Sequence, residues 1–338
     1  MLVFVFPGQG SQSPGFLAPW LELPGAADRL RWASAVVGDD LLAHGTVSDA
    51  ETLRDTAVAQ PLIVAAGLLG LRELVASPAD LGRTAGAVAG HSVGELTAAA
   101  ATGALSPEQA LVLVRERGRG MAAAAAALPT GMSAVLGGDP EEVAAALARH
   151  GLTPANANGG GQVVAAGTLE ALAALAAEPP AKARVVPLQV AGAFHTEHMA
   201  PAVGTLRALA AGLEPGTASA PIAANADGEL VTDGALFLQR LVAQVSRPVR
   251  WDLVTETFAR LGVSALIEVP PAGTLTNLAK RQLKGVEVLA LKTPDDLERA
   301  RTMIAEHGGA TSPAAGPAGA ASTPTTTPST TTPAEAAL

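Results

Sequence analysis

The chain has 338 residues, of which 49% are hydrophobic, with no cysteine and a net charge of −9. That length is enough for one or two globular units with a sizeable core. Without thiols there are no disulfides and no cysteine nucleophile, which fits a cytoplasmic protein. The acidic balance, with no interleaving of basic and aromatic residues, argues against a nucleic-acid partner.

Short apolar runs alternate with longer Ala- and Leu-rich segments, a pattern typical of the α/β class. The longest apolar stretch, residues 56–71, carries Gln60 and Pro61. It falls short of the roughly 20 apolar residues that span a bilayer, so we predict no membrane segment.

A Gly- and amide-rich turn, residues 6–12 (FPGQGSQ), follows a predicted first strand over residues 1–6. Two glycines flank Gln9, so its backbone N–H can face a ligand. The spacing matches neither a dinucleotide-binding loop nor a P-loop. An ordinary turn after a strand is the alternative interpretation.

Residues 90–94 (GHSVG) have the form G-x-S-x-G between an apolar run and a helix-prone segment. This order predicts a strand, a sharp turn and a helix that expose the hydroxyl of Ser92 as a nucleophile. The backbone N–H of Val93, in the first helical turn, would then stabilise an oxyanion. Alternatively, Ser92 caps the helix, and the pentapeptide alone does not decide between the two.

Residues 115–119 (RERGR) lie in a predicted helix over residues 107–127. Alternate arginines cannot share one helix face, because each step of two residues turns by about 200°. We therefore expect at least one of them to point inward or to lie at a rim. An inward guanidinium needs a carboxylate, either from the protein or from a ligand.

Residues 131–188 follow a β-α-β-β-α-β order, which specifies a ferredoxin-like motif. We predict that they form a subdomain inserted into a larger domain made of residues 1–130 and 189–307. Residues 308–338 are rich in Pro, Thr and Ala without an apolar periodicity, and we predict a disordered tail.

His195 is the best candidate for the base that serves Ser92. It lies in residues 192–198 (GAFHTEH), where the chain leaves the small subdomain, and ligand clefts favour such junctions. His91 adjoins Ser92 and should brace the turn rather than take the proton. His195 and His198 are three residues apart, but no third ligand accompanies them, so we predict no metal.

Five segments together resemble the malonyl-CoA:acyl carrier protein transacylase family, in its actinobacterial form. They are residues 6–12, 90–95, 114–118, 192–196 and 244–251, with further likeness over 267–284 and 291–296. The resemblance covers about residues 1–305. It implies an α/β-hydrolase-like large domain with an inserted ferredoxin-like subdomain, and an active site in the gorge between them.

The resemblance also implies a ping-pong acyl transfer that supplies malonyl units for fatty acid or polyketide synthesis. Malonyl-CoA acylates Ser92 with His195 as base, and the phosphopantetheine thiol of holo acyl carrier protein then collects the malonyl group. The backbone N–H groups of Gln9 and Val93 form the oxyanion hole, and the main-chain carbonyl of Gln244 orients His195. Malonyl-CoA is a substrate, so no bound cofactor is expected.

For the substrate, the resemblance assigns the malonyl carboxylate to Arg115, and it implies that Phe194 fills the space of an α-methyl group. His91 and Met121 are further expected substrate contacts. We expect a monomer whose basic surface meets the acidic carrier protein. The candidate docking residues are Lys182, Arg184, Arg281 and Lys284.

Two other functions stay open at this point. A hydrolase of esters or thioesters would carry Ser, then Asp or Glu, then His along the chain, and an apolar pocket in place of Arg115. A non-catalytic module that binds carrier proteins would not need Ser92 and His195.

Overall fold

The computed structural model describes residues 1–309, which form a mixed α/β fold with two β-sheets. The predicted tail therefore lies outside the described residues, except for Gly308 and Gly309. The strands are β1 (Leu2–Phe6), β2 (Ala87–Gly90), β3 (Thr130–Gly137), β4 (Thr153–Gly159), β5 (Gln162–Thr168), β6 (Ala183–Pro187), β7 (Thr217–Ala223), β8 (Leu230–Asp233), β9 (Val249–Arg250), β10 (Ala265–Glu268) and β11 (Glu287–Ala290).

Helices cover most of the remaining described chain. They are α1 (Ala26–Val37), α2 (Leu41–Thr46), α3 (Thr56–Arg72), α4 (Pro78–Thr84), α5 (Gly94–Thr102), α6 (Pro107–Ala127), α7 (Pro140–Arg149), α8 (Leu169–Ala177), α9 (Ala200–Ala210), α10 (Gly234–Gln244), α11 (Trp251–Arg260), α12 (Thr274–Gln282) and α13 (Leu297–His307). Among residues 1–309, none of these helices has the length and apolar character needed to cross a membrane.

The larger sheet has the strand order β11-β10-β1-β2-β7-β8, with parallel pairing from β11 to β7 and an antiparallel last strand. β1 lies near its centre and is entirely buried, as predicted for the first strand. Leu2, Phe4 and Phe6 pack into one apolar cluster, and Val3 and Val5 pack into another. Both faces are therefore covered, which is why this strand is apolar throughout instead of alternating.

The second sheet has the order β6-β3-β5-β4-β9. Its first four strands pair antiparallel, and α7 and α8 connect them in the β-α-β-β-α-β order that the sequence predicts. β9, which comes from residues 249–250, pairs parallel to β4. This last strand was not predicted, and it attaches the second sheet to a distant part of the chain.

Helices α3 and α6 pack against each other and against α5, the helix that follows β2. α3 is buried around almost its whole circumference, typical of a helix inside a core. α6 begins at a capping box formed by Ser106 and Gln109 and runs over residues 107–127, as predicted. Because Phe6 and Gly90 are paired in parallel, the turns that follow β1 and β2 meet at the same edge of the large sheet.

Candidate active site

A sharp turn between β2 and α5 holds Ser92, which has a left-handed φ of 54°. A Cβ on Gly90 would lie 2.0 Å from the carbonyl carbon of Gly94, and one on Gly94 would lie 2.1 Å from the carbonyl oxygen of Phe6. Only glycine fits at either position. Strand β2 and helix α5 flank the turn, so the predicted strand, turn and helix are confirmed. A non-glycine residue in this conformation is strained, a feature that clusters at functional sites.

Ser92, His195 and Gln244 form a hydrogen-bonded line. The Oγ of Ser92 lies 2.7 Å from Nε2 of His195, and Nδ1 of His195 lies 2.9 Å from the main-chain carbonyl oxygen of Gln244. A carbonyl can only accept, so Nδ1 carries the proton and Nε2 is free to accept one from Ser92. His195 also has a left-handed φ, of 61°.

The imidazole of His195 is held in its neutral form. Burial and the nearby Arg117 guanidinium lower the pKa of His195 to about 3, although its bond to the carbonyl of Gln244 acts in the opposite direction. Because this pKa lies well below neutral pH, the imidazole of His195 is unprotonated at Nε2 there and can accept a proton.

Arg117, and not Arg115, is the arginine that reaches Ser92. The Nη2 of Arg117 donates to the Oγ of Ser92 (3.2 Å) and to Oε1 of Gln244 (2.7 Å), while its Nη1 donates to Oε1 of Gln60 (2.7 Å). Burial lowers the pKa of Arg117 to about 10, so it remains cationic at neutral pH.

The prediction for Arg115 is wrong in this structure. Its Nε donates to Glu116 (2.7 Å) and its Nη1 to the carbonyl of Val36 (3.5 Å), and 28% of its side chain is exposed. Arg117 lies four residues after Leu113 and four before Met121, both of which are buried. It therefore belongs to the inward stripe of α6, and Arg115 points about 160° away, toward α1.

Gln9 and Val93 line the same cavity as Ser92. The turn that carries Gln9 approaches the β2–α5 turn closely, since a Cβ on Gly8 would lie 2.9 Å from the carbonyl oxygen of His91. Within residues 1–309, neither backbone N–H group donates to a protein acceptor. The arrangement is compatible with an oxyanion hole, which stays a prediction.

Ser92, His195, Gln9 and Val93 line a cavity of about 360 Å³ between the two sheets. His91 lies on its wall, where Nε2 meets Oδ1 of Asn158 (3.0 Å) and the ring packs beside Trp251 at 5.4 Å between centroids. This geometry braces the turn. Met121 and Phe194 also line the cavity, and the second sheet contributes Met132, Asn156, Asn158, Gln162 and Val164.

The four predicted docking residues are all exposed. Arg281 lies at the mouth of the cavity, where its Nη2 donates to Oε1 of Gln162 (3.2 Å). Lys284 follows α12, the helix that carries Arg281. Lys182 and Arg184 lie at the start of β6, on the second sheet.

Besides Arg117, the hydrogen bonds around Ser92 involve Gln60, Glu95 and Asn225, which were not predicted as site residues. The Oδ1 of Asn225 accepts from the backbone N–H of Ser92 (2.8 Å), and its Nδ2 donates to the carbonyl of Gly90 (2.6 Å). Gln60 could have been found, because a glutamine inside an otherwise apolar helix must be hydrogen-bonded when buried.

Comparison with known proteins defines the class first. The acyl transferase domain family matches residues 3–310, so the chain belongs to this family and is an acyltransferase. Among curated proteins, the chain is 51% identical over 298 residues to the malonyl CoA-acyl carrier protein transacylases of Mycobacterium bovis and Mycobacterium tuberculosis, covering 88% of this chain and 98% of theirs. The resemblance inferred from the five sequence segments is thereby confirmed.

Solved structures agree. A crystal structure of MCAT from Mycobacterium tuberculosis matches with a TM-score of 0.85 and 50% identity, over 89% of this chain and 99% of that chain. A structure described as a type II PKS acyl-carrier protein in complex with its malonyl-transacylase matches with a TM-score of 0.81 and 32% identity, over 89% and 99%.

Proposed function

We propose that this protein transfers malonyl from malonyl-CoA to the phosphopantetheine thiol of acyl carrier protein, through a malonyl-Ser92 intermediate. The observation that carries the proposal is the line of Ser92, His195 and the Gln244 carbonyl, with the Arg117 guanidinium beside the serine oxygen. The names of the similar transacylases support the same substrates.

In the first half-reaction, the Oγ of Ser92 attacks the thioester carbonyl of malonyl-CoA while Nε2 of His195 takes the hydroxyl proton. The backbone N–H groups of Gln9 and Val93 stabilise the oxyanion, at about 3 kcal/mol per donor. When the intermediate collapses, the carbon–sulfur bond breaks and His195 returns the proton to the sulfur of CoA. The products are malonyl-Ser92 and free CoA.

In the second half-reaction, His195 takes the proton of the phosphopantetheine thiol, and the sulfur attacks the malonyl ester. The carbon–oxygen bond to Ser92 breaks, and the proton passes from His195 to Oγ. Because His195 begins each half-reaction in its neutral form, one imidazole serves as base and then as acid in both. The enzyme needs no bound cofactor for these steps.

Arg117 takes over the role that the sequence gave to Arg115, which is to bind the free carboxylate of the malonyl group by a bidentate pair. An acetyl group would supply no carboxylate to this buried guanidinium, which disfavours acetyl transfer. Phe194 lines the cavity beside His195, where it would exclude the α-methyl group of methylmalonyl.

Docking of the carrier protein would use the exposed cations around the cavity mouth. The backbone N–H of Gly137 donates to the carbonyl of Gly161 (2.8 Å), and a Cβ on Gly160 would lie 4.0 Å from Cβ of Arg281. These turns join the surface of Lys182 and Arg184 to that of Arg281 and Lys284. Such a basic patch would attract an acidic partner despite the net charge of the chain.

For the architecture, we propose an α/β-hydrolase-like domain (residues 1–130 and 189–307) with a ferredoxin-like subdomain (residues 131–188). The strand order of the second sheet supports the latter. A monomer and a cytoplasmic location stay predictions. We propose that the malonyl acceptor is a carrier protein of fatty acid or of polyketide synthesis. The second is included because one similar structure is a type II PKS complex.

The test is a competition between malonyl-CoA, methylmalonyl-CoA and acetyl-CoA for transfer to holo acyl carrier protein, read by mass spectrometry. We expect malonyl carrier protein as the dominant product. Rapid release of free malonate without carrier protein would favour a hydrolase instead. Absence of both products, with carrier protein still bound, would favour a non-catalytic module.

A further inference from the structure

Glu95 is a buried carboxyl group that the transfer steps above do not use. It lies in the first turn of α5, three residues after Ser92, and is 1% exposed. One of its oxygens accepts from the backbone N–H of Asn225 (2.6 Å), and the other accepts from Nε2 of Gln244 (2.5 Å). Burial raises the pKa of Glu95 to about 7. Because a buried carboxylate is costly, its presence beside the nucleophile calls for a physical reason.

The side-chain amide of Gln244 stands between Glu95 and Arg117. Its Nε2 donates to Glu95 and to the carbonyl of Ser92 (2.9 Å), and its Oε1 accepts from Nη2 of Arg117 (2.7 Å). Above the pKa of Glu95, its carboxylate only accepts, and the guanidinium of Arg117 only donates, so the amide satisfies both neighbours in one orientation only. Among the ion pairs within residues 1–309, none joins Glu95 directly to Arg117.

We infer that Glu95 is a positioning residue for Arg117, acting through the amide of Gln244, and that it thereby supports selection for an acyl group with a free carboxylate. The inference rests on the proposed function, in which Arg117 binds that carboxylate. Glu95 fixes which end of the amide faces the guanidinium, and the amide oxygen holds Nη2 beside the Oγ of Ser92. The main-chain carbonyl of Gln244, which orients His195, is a separate group on the same residue.

The substitution Glu95→Gln tests this polarity at nearly constant shape. Its amide oxygen would stay on the backbone N–H of Asn225, which cannot turn, so its new NH2 group would meet Nε2 of Gln244, and both of these groups are donors. If Gln244 turns to relieve this conflict, its Nε2 faces Arg117, and the guanidinium loses an acceptor. Malonyl transfer then suffers, whereas an acetyl group makes no use of the guanidinium.

The experiment compares kcat/KM for malonyl-CoA and acetyl-CoA in wild type and Glu95→Gln, with transfer to holo acyl carrier protein. We expect the malonyl-to-acetyl ratio to fall about tenfold, chiefly through the KM for malonyl-CoA, as for the loss of one charge-assisted hydrogen bond. An equal loss for both substrates, or an unchanged ratio, would overturn the inference.

Glu268→Gln is the matched control, because Glu268 is 0% exposed and accepts only from the backbone N–H groups of Gly273, Leu275 and Thr276. We expect it to lower Tm without changing the ratio. If Glu95→Gln does not fold, the double variant Glu95→Met/Gln244→Met removes the carboxylate and the amide together, so that Nη2 of Arg117 loses the acceptor that the amide provides.

The double variant is expected to lower the malonyl-to-acetyl ratio as well, and an unchanged ratio would overturn the inference. Failure of the proposed function would look different, since wild-type protein would then transfer no malonyl at all. Wild-type transfer with an unchanged ratio in the Glu95 variants would refute only the role of Glu95.

Discussion

The two walls of the active-site cavity differ in how they treat charge. Behind the wall formed at the edge of the large sheet, Glu95 and Arg117 are buried, and each of them has hydrogen-bonding partners. The wall formed by the second sheet offers the neutral amides of Asn156 and Asn158. The charged residue in the cavity lining, Arg281, lies at the exposed mouth on α12.

This difference indicates which side of the cavity suits catalysis and which side suits the binding of a partner. Buried charge is strong but needs rigid, complete partnering, which the ends of buried parallel strands and the helices beside them provide. Neutral amides and exposed cations carry a smaller desolvation cost than buried charges. They suit the binding of a phosphopantetheine arm and of a carrier protein. Substitutions on the two sides of the cavity test whether catalysis and partner binding are separated in this way.

The largest effect is expected from Ser92→Ala on the first wall. Without the hydroxyl, no covalent intermediate can form, and transfer should fall by at least three orders of magnitude. Intact-protein mass spectrometry after incubation with malonyl-CoA measures the adduct directly. A malonyl adduct of undiminished yield in this variant would place the nucleophile elsewhere.

Substitution of the two neighbouring arginines should separate the inward from the outward face of α6. We expect Arg117→Ala to reduce kcat/KM for malonyl-CoA about 100-fold, the size expected when one partner of a buried charge pair is removed. Arg115→Ala should stay within about twofold, because its partly exposed pair with Glu116 contributes little. Steady-state kinetics of both variants measure the two losses. A larger loss in Arg115→Ala than in Arg117→Ala would restore Arg115 as the carboxylate-binding residue.

The titration of His195 should respond to the same cation. In the wild type, burial and Arg117 lower the pKa of His195 to about 3, so the folded state loses stability as pH falls from about 6.5, where the unfolded chain takes up the proton. Arg117→Ala should raise this pKa but leave it below 6.5, because burial is the larger cause. NMR titration of the imidazole measures it, and an unchanged pKa would mean that the guanidinium does not act on His195.

The smallest effect is expected at the mouth of the cavity. Arg281→Glu should raise the KM for carrier protein several-fold and leave acylation by malonyl-CoA unchanged, with the difference shrinking at high salt. Arg31→Glu, another exposed arginine, is the control, since it lies on α1 and outside the cavity lining. An equal rise in KM for both variants would point to net charge rather than to a docking surface.

Much of the site follows from local sequence. The glycines around Ser92 permit only a sharp turn, the capping residues fix the start of α6, and the alternation of short elements predicts both sheets. His195 was also predictable, because residues 192–198 leave one unit and enter the other. These features depend on neighbours in the chain, so the sequence by itself determined them.

Other features depend on contacts between distant segments, and only the tertiary structure decided them. Asn225 supports Ser92 from 133 residues away, and Gln244 joins Glu95 across 149 residues, so neither partnership has a local pattern. The choice between Arg115 and Arg117 depends partly on local sequence and partly on contacts between distant segments. The apolar stripe of α6 selects Arg117, but its function became visible only when α6 packed beside α3 and brought the guanidinium to Gln60, Gln244 and the serine.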